Sequence, residues 1–125
     1  MLKIPTVIFL ICFALLAVIH IIALQLSLYW AFDWFDIPMH FFGGAIVALG
    51  VFTLNDLKIV VPDRWLHVSS VVLLVFLVAM VWEVYELLIG IPIESNYLVD
   101  TITDLCMGTL GGLVGYSIGT NIKKL

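Results

Sequence analysis

Carboxylates and a histidine recur at helical spacing in three parts of this sequence. The pairs are Asp36 with His40, Glu83 with Glu86, and Asp100 with Asp104. Residues three or four positions apart lie on one face of a helix, so each pair would present its side chains together. Carboxylate oxygens and imidazole nitrogens are ligands for zinc, manganese, iron or magnesium ions, and facing helices can supply them jointly.

The segments that carry these pairs are unusually apolar. Hydrophobic residues make up 64% of the 125-residue chain and charged residues 11%, against about 45–50% and about 25% in soluble domains. So few polar side chains cannot cover a soluble globule. The composition therefore predicts that lipid is the solvent of most of the surface, and the length predicts one domain, residues 1–125.

Four apolar runs are long enough to cross a bilayer, which takes roughly 20 residues for about 30 Å of hydrocarbon. The predicted spans are 5–30, 38–54, 65–90 and 100–121. Pro5 and Pro38 suit the opening turns of helices, where a missing N–H group is tolerated. The predicted fold class is all-α: a polytopic membrane protein built as a bundle of four transmembrane helices.

The basic residues predict the orientation of the bundle. They are Lys3, Lys58, Arg64, Lys123 and Lys124. Four spans place all of them on one side, which the positive-inside rule assigns to the cytoplasm. Both termini are then inside (N-in, C-in), and the links 31–37 and 91–99 face outward. The predicted partner is the lipid bilayer, and no basic patch indicates nucleic acid.

On this topology the three pairs lie in the outer part of the bundle. Glu83, for example, lies roughly 10 Å below the outer end of its helix at Gly90. A charged carboxylate in hydrocarbon costs at least about 2.5–3.5 kcal/mol. No lysine or arginine falls on that side. The carboxylates must therefore take up protons or surround a cation.

A metal site is the leading interpretation of this pattern. The candidate ligands are His40, Glu86 and Asp104. The candidate catalytic groups are Asp36, Glu83 and Asp100, acting as general base or orienting the ligands. The cofactor is not identified by the sequence; on this interpretation it is a divalent ion, zinc, manganese, iron or magnesium.

Some of these residues also have plainer interpretations. Asp36 and Asp100 each stand where a helix N-cap is expected. For these two residues, capping is at least as good an interpretation as a role in a functional site. His40 taken alone would be an interfacial histidine. His20 lies deep in the first span. It could join the site, but hydrogen bonds between helices are the favoured interpretation.

Glycines follow the acidic residues along the same helix faces. Gly108 comes four residues after Asp104, and Gly111, Gly112 and Gly115 continue the series. Stripes of small residues let transmembrane helices approach closely. This stripe is predicted to pack against another helix, with the second span favoured.

The order of these motifs resembles the YjdF-type family of small bacterial inner-membrane proteins and, more distantly, the VanZ-like group. The matching segments are Asp36-Ile-Pro-Met-His40-Phe41-Phe42-Gly43, Val84-Tyr85-Glu86 and Asp100-Thr-Ile-Thr-Asp104. Gly108 stands where the VanZ-like pattern has asparagine. The resemblance implies a multi-pass protein of the bacterial cytoplasmic membrane. Some VanZ-like members are associated with resistance to glycopeptide antibiotics, which is not carried over to this chain.

Three functions remain open from the sequence. The first is a metal-dependent hydrolase or transferase that acts on a lipid-linked or cell-envelope substrate. The second is a structural or accessory membrane subunit, in which the polar cluster holds the bundle together. The third is a proton- or cation-conducting protein, which the almost purely apolar cytoplasmic halves of the spans disfavour. Whether the protein is an enzyme is left undecided.

Overall fold

The computed structural model describes residues 3–59, 62–91 and 96–122. Its elements are α1 (Ile4–Gln25), the short α2 (Leu28–Ala31), α3 (Asp36–Asp56), a 3₁₀ turn (Asp63–Leu66), α4 (Val68–Ile89) and α5 (Tyr97–Ile122). The described residues contain helices and turns only. The four long helices are each long and apolar enough to cross a membrane. The predicted all-α architecture with four membrane-spanning helices is confirmed.

The first predicted span, 5–30, is not one continuous helix. α1 ends at Gln25, and Ser27 has a left-handed backbone with φ of 54°. Such a conformation costs a non-glycine residue about 1–2 kcal/mol. It lets α2 fold back so that Tyr29 is buried against Ala23, Met39 and Ile91. Burial of this apolar cluster offsets the backbone cost, so the break arises from tertiary packing.

α3 and α5 form the closest helix pair, and glycines make this approach possible. A Cβ atom added to Gly44 would overlap the carbonyl oxygen of Gly108, and one added to Gly111 would overlap the carbonyl oxygen of Phe41. The predicted packing of the glycine stripe against the second span is confirmed. Gly112 instead faces α4, where an added Cβ would lie 2.8 Å from Val75 Cγ2.

α4 completes the core and α1 lies at the periphery. The buried face of α4 begins with Val71, Val75 and Ala79 and continues as Glu83 and Glu86. The same helix face is thus apolar at one end and acidic at the other. α1 buries only Pro5, Thr6 and Ala23, and its large apolar side chains point outward, as expected for a surface that contacts lipid.

The described basic residues lie at one end of the bundle, where Asp56 and Asp63 are also found. Lys3 Nζ lies 3.6 Å from Asp56 Oδ1, so the start of α1 and the end of α3 share one end. Lys58 and Arg64 follow in the connection to α4. Lys123 and Lys124 lie outside the described residues, as does Glu94 in the 91–99 link. The N-in, C-in orientation stays a prediction.

Candidate functional site

His40 occupies the centre of an acidic cluster between α3, α4 and α5. Its side chain is only 2% exposed. The Nε2 atom lies 3.6 Å from Asp36 Oδ1, 3.5 Å from Glu83 Oε1 and 3.5 Å from Glu86 Oε2. Within the described part of the chain, His40 Nε2, Asp36 Oδ1 and Glu83 Oε1 are buried without any hydrogen bond. Each such atom normally costs about 1–3 kcal/mol.

The two glutamates each use their second oxygen for a hydrogen bond. The Thr101 hydroxyl of α5 donates to Glu83 Oε2 at 3.0 Å. The indole N–H of Trp82, one turn earlier on α4, donates to Glu86 Oε1. These donors fix the rotation of both carboxylates. As a result, Glu83 Oε1 and Glu86 Oε2 face the imidazole of His40.

Two groups of potential metal ligands share His40. In one group His40, Glu83 and Glu86 each offer an atom within 4.8 Å of the others. In the other group Asp36, His40 and Asp104 do the same. All of these residues except Asp36 are buried. The structure therefore brings five of the six predicted site residues together around one imidazole.

The predicted ligand set is divided between these two groups. The sequence analysis grouped His40 with Glu86 and Asp104 as ligands, but Glu86 and Asp104 fall in different groups. Glu83, predicted to be a catalytic group, lies as close to His40 Nε2 as Glu86 does. The division of these residues into ligands and bases stays a prediction.

Asp100, the sixth predicted residue, does not cap its helix. α5 begins at Tyr97, and the side-chain oxygen of Asn96 accepts hydrogen bonds from the N–H groups of Leu98 and Val99. The N-cap interpretation of Asp100 is therefore wrong. The N-cap interpretation of Asp36 is also wrong, because Asp36 is the first residue of α3 and the N-cap position is Phe35.

Four carboxylates line a small pocket at the acidic end of the bundle. The residues are Asp36, Glu83, Glu86 and Asp100, together with Leu87, Ile91 and Tyr97. Its volume is about 10 Å³, which is close to the space that one water-sized sphere requires. This pocket gives the buried cluster a polar approach from the end of the bundle.

An aromatic group supports the cluster from the α1 side. His20 Nδ1 lies 2.7 Å from the Tyr29 hydroxyl, and His20 Nε2 lies 3.0 Å from the Tyr85 hydroxyl. The predicted interhelical role of His20 is confirmed. Burial, reinforced by the charge of Asp36, raises the pKa of Tyr29 above its ordinary value, so this hydroxyl stays neutral.

Sequence reasoning missed Trp82 and Thr101 as orienting residues. Trp82 precedes Glu86 by four residues, a spacing that places the two on one helix face. This spacing was sufficient to predict the contact between Trp82 and Glu86. Thr101 contacts Glu83 across two helices, and nothing in the sequence indicates this pairing.

Comparisons with known proteins agree with the architecture. A family model described as "Predicted membrane protein (DUF2238)" matches residues 2–124. Comparisons with curated proteins and with solved structures found no match. The narrower resemblance to YjdF-type and VanZ-like proteins stays a prediction. Because the match spans nearly the whole chain, the protein belongs to the DUF2238 family of predicted membrane proteins.

Proposed function

We propose that the protein binds a divalent metal ion at the His40 cluster and uses it for hydrolysis or group transfer at the cell envelope. One observation carries the proposal: His40 Nε2 faces three carboxylate oxygens at 3.5–3.6 Å without a hydrogen bond. Two ligand atoms that each lie about 2.1 Å from a tetrahedral zinc ion are about 3.4 Å apart. The spacing thus suits a shared ion better than direct hydrogen bonds.

The charge balance also favours a cation. Asp36, Glu83, Glu86 and Asp104 converge on a single imidazole. The described basic residues, Lys3, Lys58 and Arg64, all belong to the opposite end of the bundle. A divalent ion would offset two of the four carboxylate charges and would give the polar atoms without a hydrogen bond a partner. Mixed oxygen and imidazole ligands are compatible with zinc, manganese or iron and, less well, magnesium.

The bound ion would supply an activated water or polarise a substrate oxygen. His40, Glu83 and Glu86 form the more deeply buried ligand group, with Asp104 as a further ligand. Asp36 and Asp100 line the small pocket beside them. Either is placed to act as a general base toward a water molecule in that pocket.

The site would face the outside of the cell. The positive-inside rule assigns the end that carries Lys3, Lys58 and Arg64 to the cytoplasm. The acidic end then faces the envelope of a bacterial cytoplasmic membrane. A lipid-linked or cell-envelope molecule is the substrate class within reach.

A structural role is the competing function, because the same contacts join three helices. Metal analysis separates the two. The protein is purified in detergent, stripped with chelator and titrated with zinc, manganese and magnesium by calorimetry. We expect the wild-type protein to bind about one ion per chain. The metal affinity should fall in His40→Ala. It should stay unchanged in His67→Ala, because the His67 side chain is exposed. A folded wild-type protein that binds none of these ions would refute the metal function and favour the structural one.

A further inference from the structure

The small pocket at the acidic end of the bundle is a separate space beside the His40 cluster. Its lining includes four carboxylates: Asp36, Glu83, Glu86 and Asp100. Among the described residues, His40 does not contribute to this lining. The volume of about 10 Å³ admits one occupant the size of a water molecule. Four carboxylates around so small a space are a ligand set for a single cation, with oxygen donors only.

Two of the lining residues carry oxygen atoms that lack a partner. The side chain of Glu83 is only 8% exposed, and its Oε1 atom has no hydrogen bond. Asp36 Oδ1 is buried in the same condition. In the described part of the chain, no N–H or O–H group donates to either oxygen. Buried carboxylate oxygens in this state point to a positively charged ligand.

A single ion at His40 leaves this end of the bundle negative. Four carboxylates converge on the imidazole, and Asp100 adds a fifth in the pocket. One divalent ion offsets two of these five charges. The described lysines and arginine lie at the opposite end and supply no compensation. A second divalent ion would offset two more charges.

The glutamates of α4 can serve two ions, whereas the imidazole cannot. His40 Nε2 has one lone pair, so it binds one ion. A carboxylate has about four lone-pair sites. Glu83 and Glu86 belong both to the ligand group around His40 and to the lining of the pocket. Their carboxylates can therefore bridge two ions, which in sites of this kind lie about 3.5–4 Å apart.

We infer that the pocket is a second metal site, which binds magnesium or manganese beside the ion at His40. The inference deepens the proposed function and rests on it for the ion at His40, here called the inner ion. The inner ion has an imidazole ligand, which suits zinc, whereas the second or outer ion has only oxygen ligands, which magnesium and manganese prefer. Water completes the coordination of such ions. The water that Asp36 and Asp100 face in the pocket would then be water bound to the outer ion.

The outer ion should bind more weakly than the inner ion, because water supplies part of its coordination. The inner ion is therefore the one that the calorimetric titration counts. Manganese is a suitable probe for the outer site, since unbound manganese is measured by its electron paramagnetic resonance signal. The protein in detergent is loaded with one equivalent of zinc and titrated with manganese. Zinc that stays with the protein is measured by elemental analysis after gel filtration.

We expect the zinc-loaded protein to bind about one manganese ion per chain and to keep its zinc. Asp100→Asn removes a charge from the pocket and keeps the size of the side chain. It should weaken manganese binding about tenfold or more, as expected for a group next to a bound metal, and should affect zinc binding less. Asp33→Asn is the matched control, because Asp33 is an exposed carboxylate of the link before α3.

The outcomes distinguish the outer site from the proposed function. A zinc-loaded protein that binds no manganese would overturn the outer site and leave the proposed function standing. Manganese that displaces zinc ion for ion would show one shared site and would also overturn the inference. Equal manganese affinity in folded Asp100→Asn and Asp33→Asn would overturn the assignment of the ion to the pocket. A protein that retains no zinc would refute the proposed function and the paired site together.

Discussion

The Nε2 atom of His40 lies 3.5 Å from Oε1 of Glu83, and neither atom has a hydrogen-bond partner in residues 3–59, 62–91 and 96–122. His40 belongs to α3 and Glu83 to α4. Thr101 of α5 donates a hydrogen bond to the other carboxylate oxygen of Glu83. One short chain of contacts therefore connects all three core helices. Variants of the residues in these contacts can distinguish the orientation of Glu83 from the proposed metal binding.

Thr101→Val should weaken metal binding while the bundle remains folded. The substitution removes the hydroxyl that orients Glu83 and keeps the shape of the side chain. Loss of such an orienting partner costs about 10–100-fold in metal affinity. Calorimetric titration measures the effect. Thr103→Val is the matched control, because its hydroxyl bonds to the Val99 carbonyl of its own helix. Equal affinity in the two variants would contradict the orienting role.

Gly44→Ala should destabilise the bundle far more than Gly43→Ala does. The added methyl group at position 44 would overlap the Gly108 backbone, whereas at position 43 it meets open space. Overpacking costs about 1–3 kcal/mol, and a backbone obstacle places this case at the upper end. Thermal unfolding in detergent compares the two neighbouring variants. Similar melting temperatures would show that α3 and α5 are not in this close contact.

His20→Phe should loosen α1 and leave metal binding at the proposed site unchanged. The substitution removes hydrogen bonds to Tyr29 and Tyr85 but keeps an aromatic ring. Interhelical hydrogen bonds in membranes contribute about 1–2 kcal/mol at most, so a modest loss of stability is expected. His67→Phe, at an exposed position, serves as the control. A large loss of metal affinity in His20→Phe would instead place His20 within the site.

Single cysteines at positions 58 and 33 should be labelled from opposite sides of the membrane. Lys58 follows α3 and Asp33 precedes it, so a spanning α3 separates them. Cys12 and Cys106 are first replaced by alanine. A membrane-impermeant thiol reagent on intact cells should modify position 33 and spare position 58 until the membrane is opened. Labelling of both from outside would refute the N-in, C-in topology and the outward-facing site.

Composition and spacing predicted the broad features because they depend on single helices. Apolar runs of sufficient length require membrane-spanning helices, and spacings of three or four residues require a shared helix face. The convergence of Asp36, His40, Glu83, Glu86 and Asp104 followed from these two constraints and a common depth.

Other features depend on contacts between helices, which spacing does not encode. The break at Ser27 exists because Tyr29 folds back onto a core made by other helices. The oxygens of Glu83 and Glu86 that face His40 are selected by Thr101 and Trp82. An apolar cavity is left between α1, α3 and α4, and no sequence motif marks it.

The order of helices along the chain has a consequence for synthesis. α3 carries Asp36 and His40, but Glu83 lies 43 positions after His40, and the glycines that seat α3 lie later still. At ribosomal speeds of about 5–20 residues per second, His40 precedes Glu83 by roughly 2–9 s. During that interval the newly made α3 has neither its carboxylate neighbours on α4 nor its packing partner α5. The close contact between α3 and α5 can therefore form only after the last helix has been made, so the core of the bundle closes at the end of synthesis.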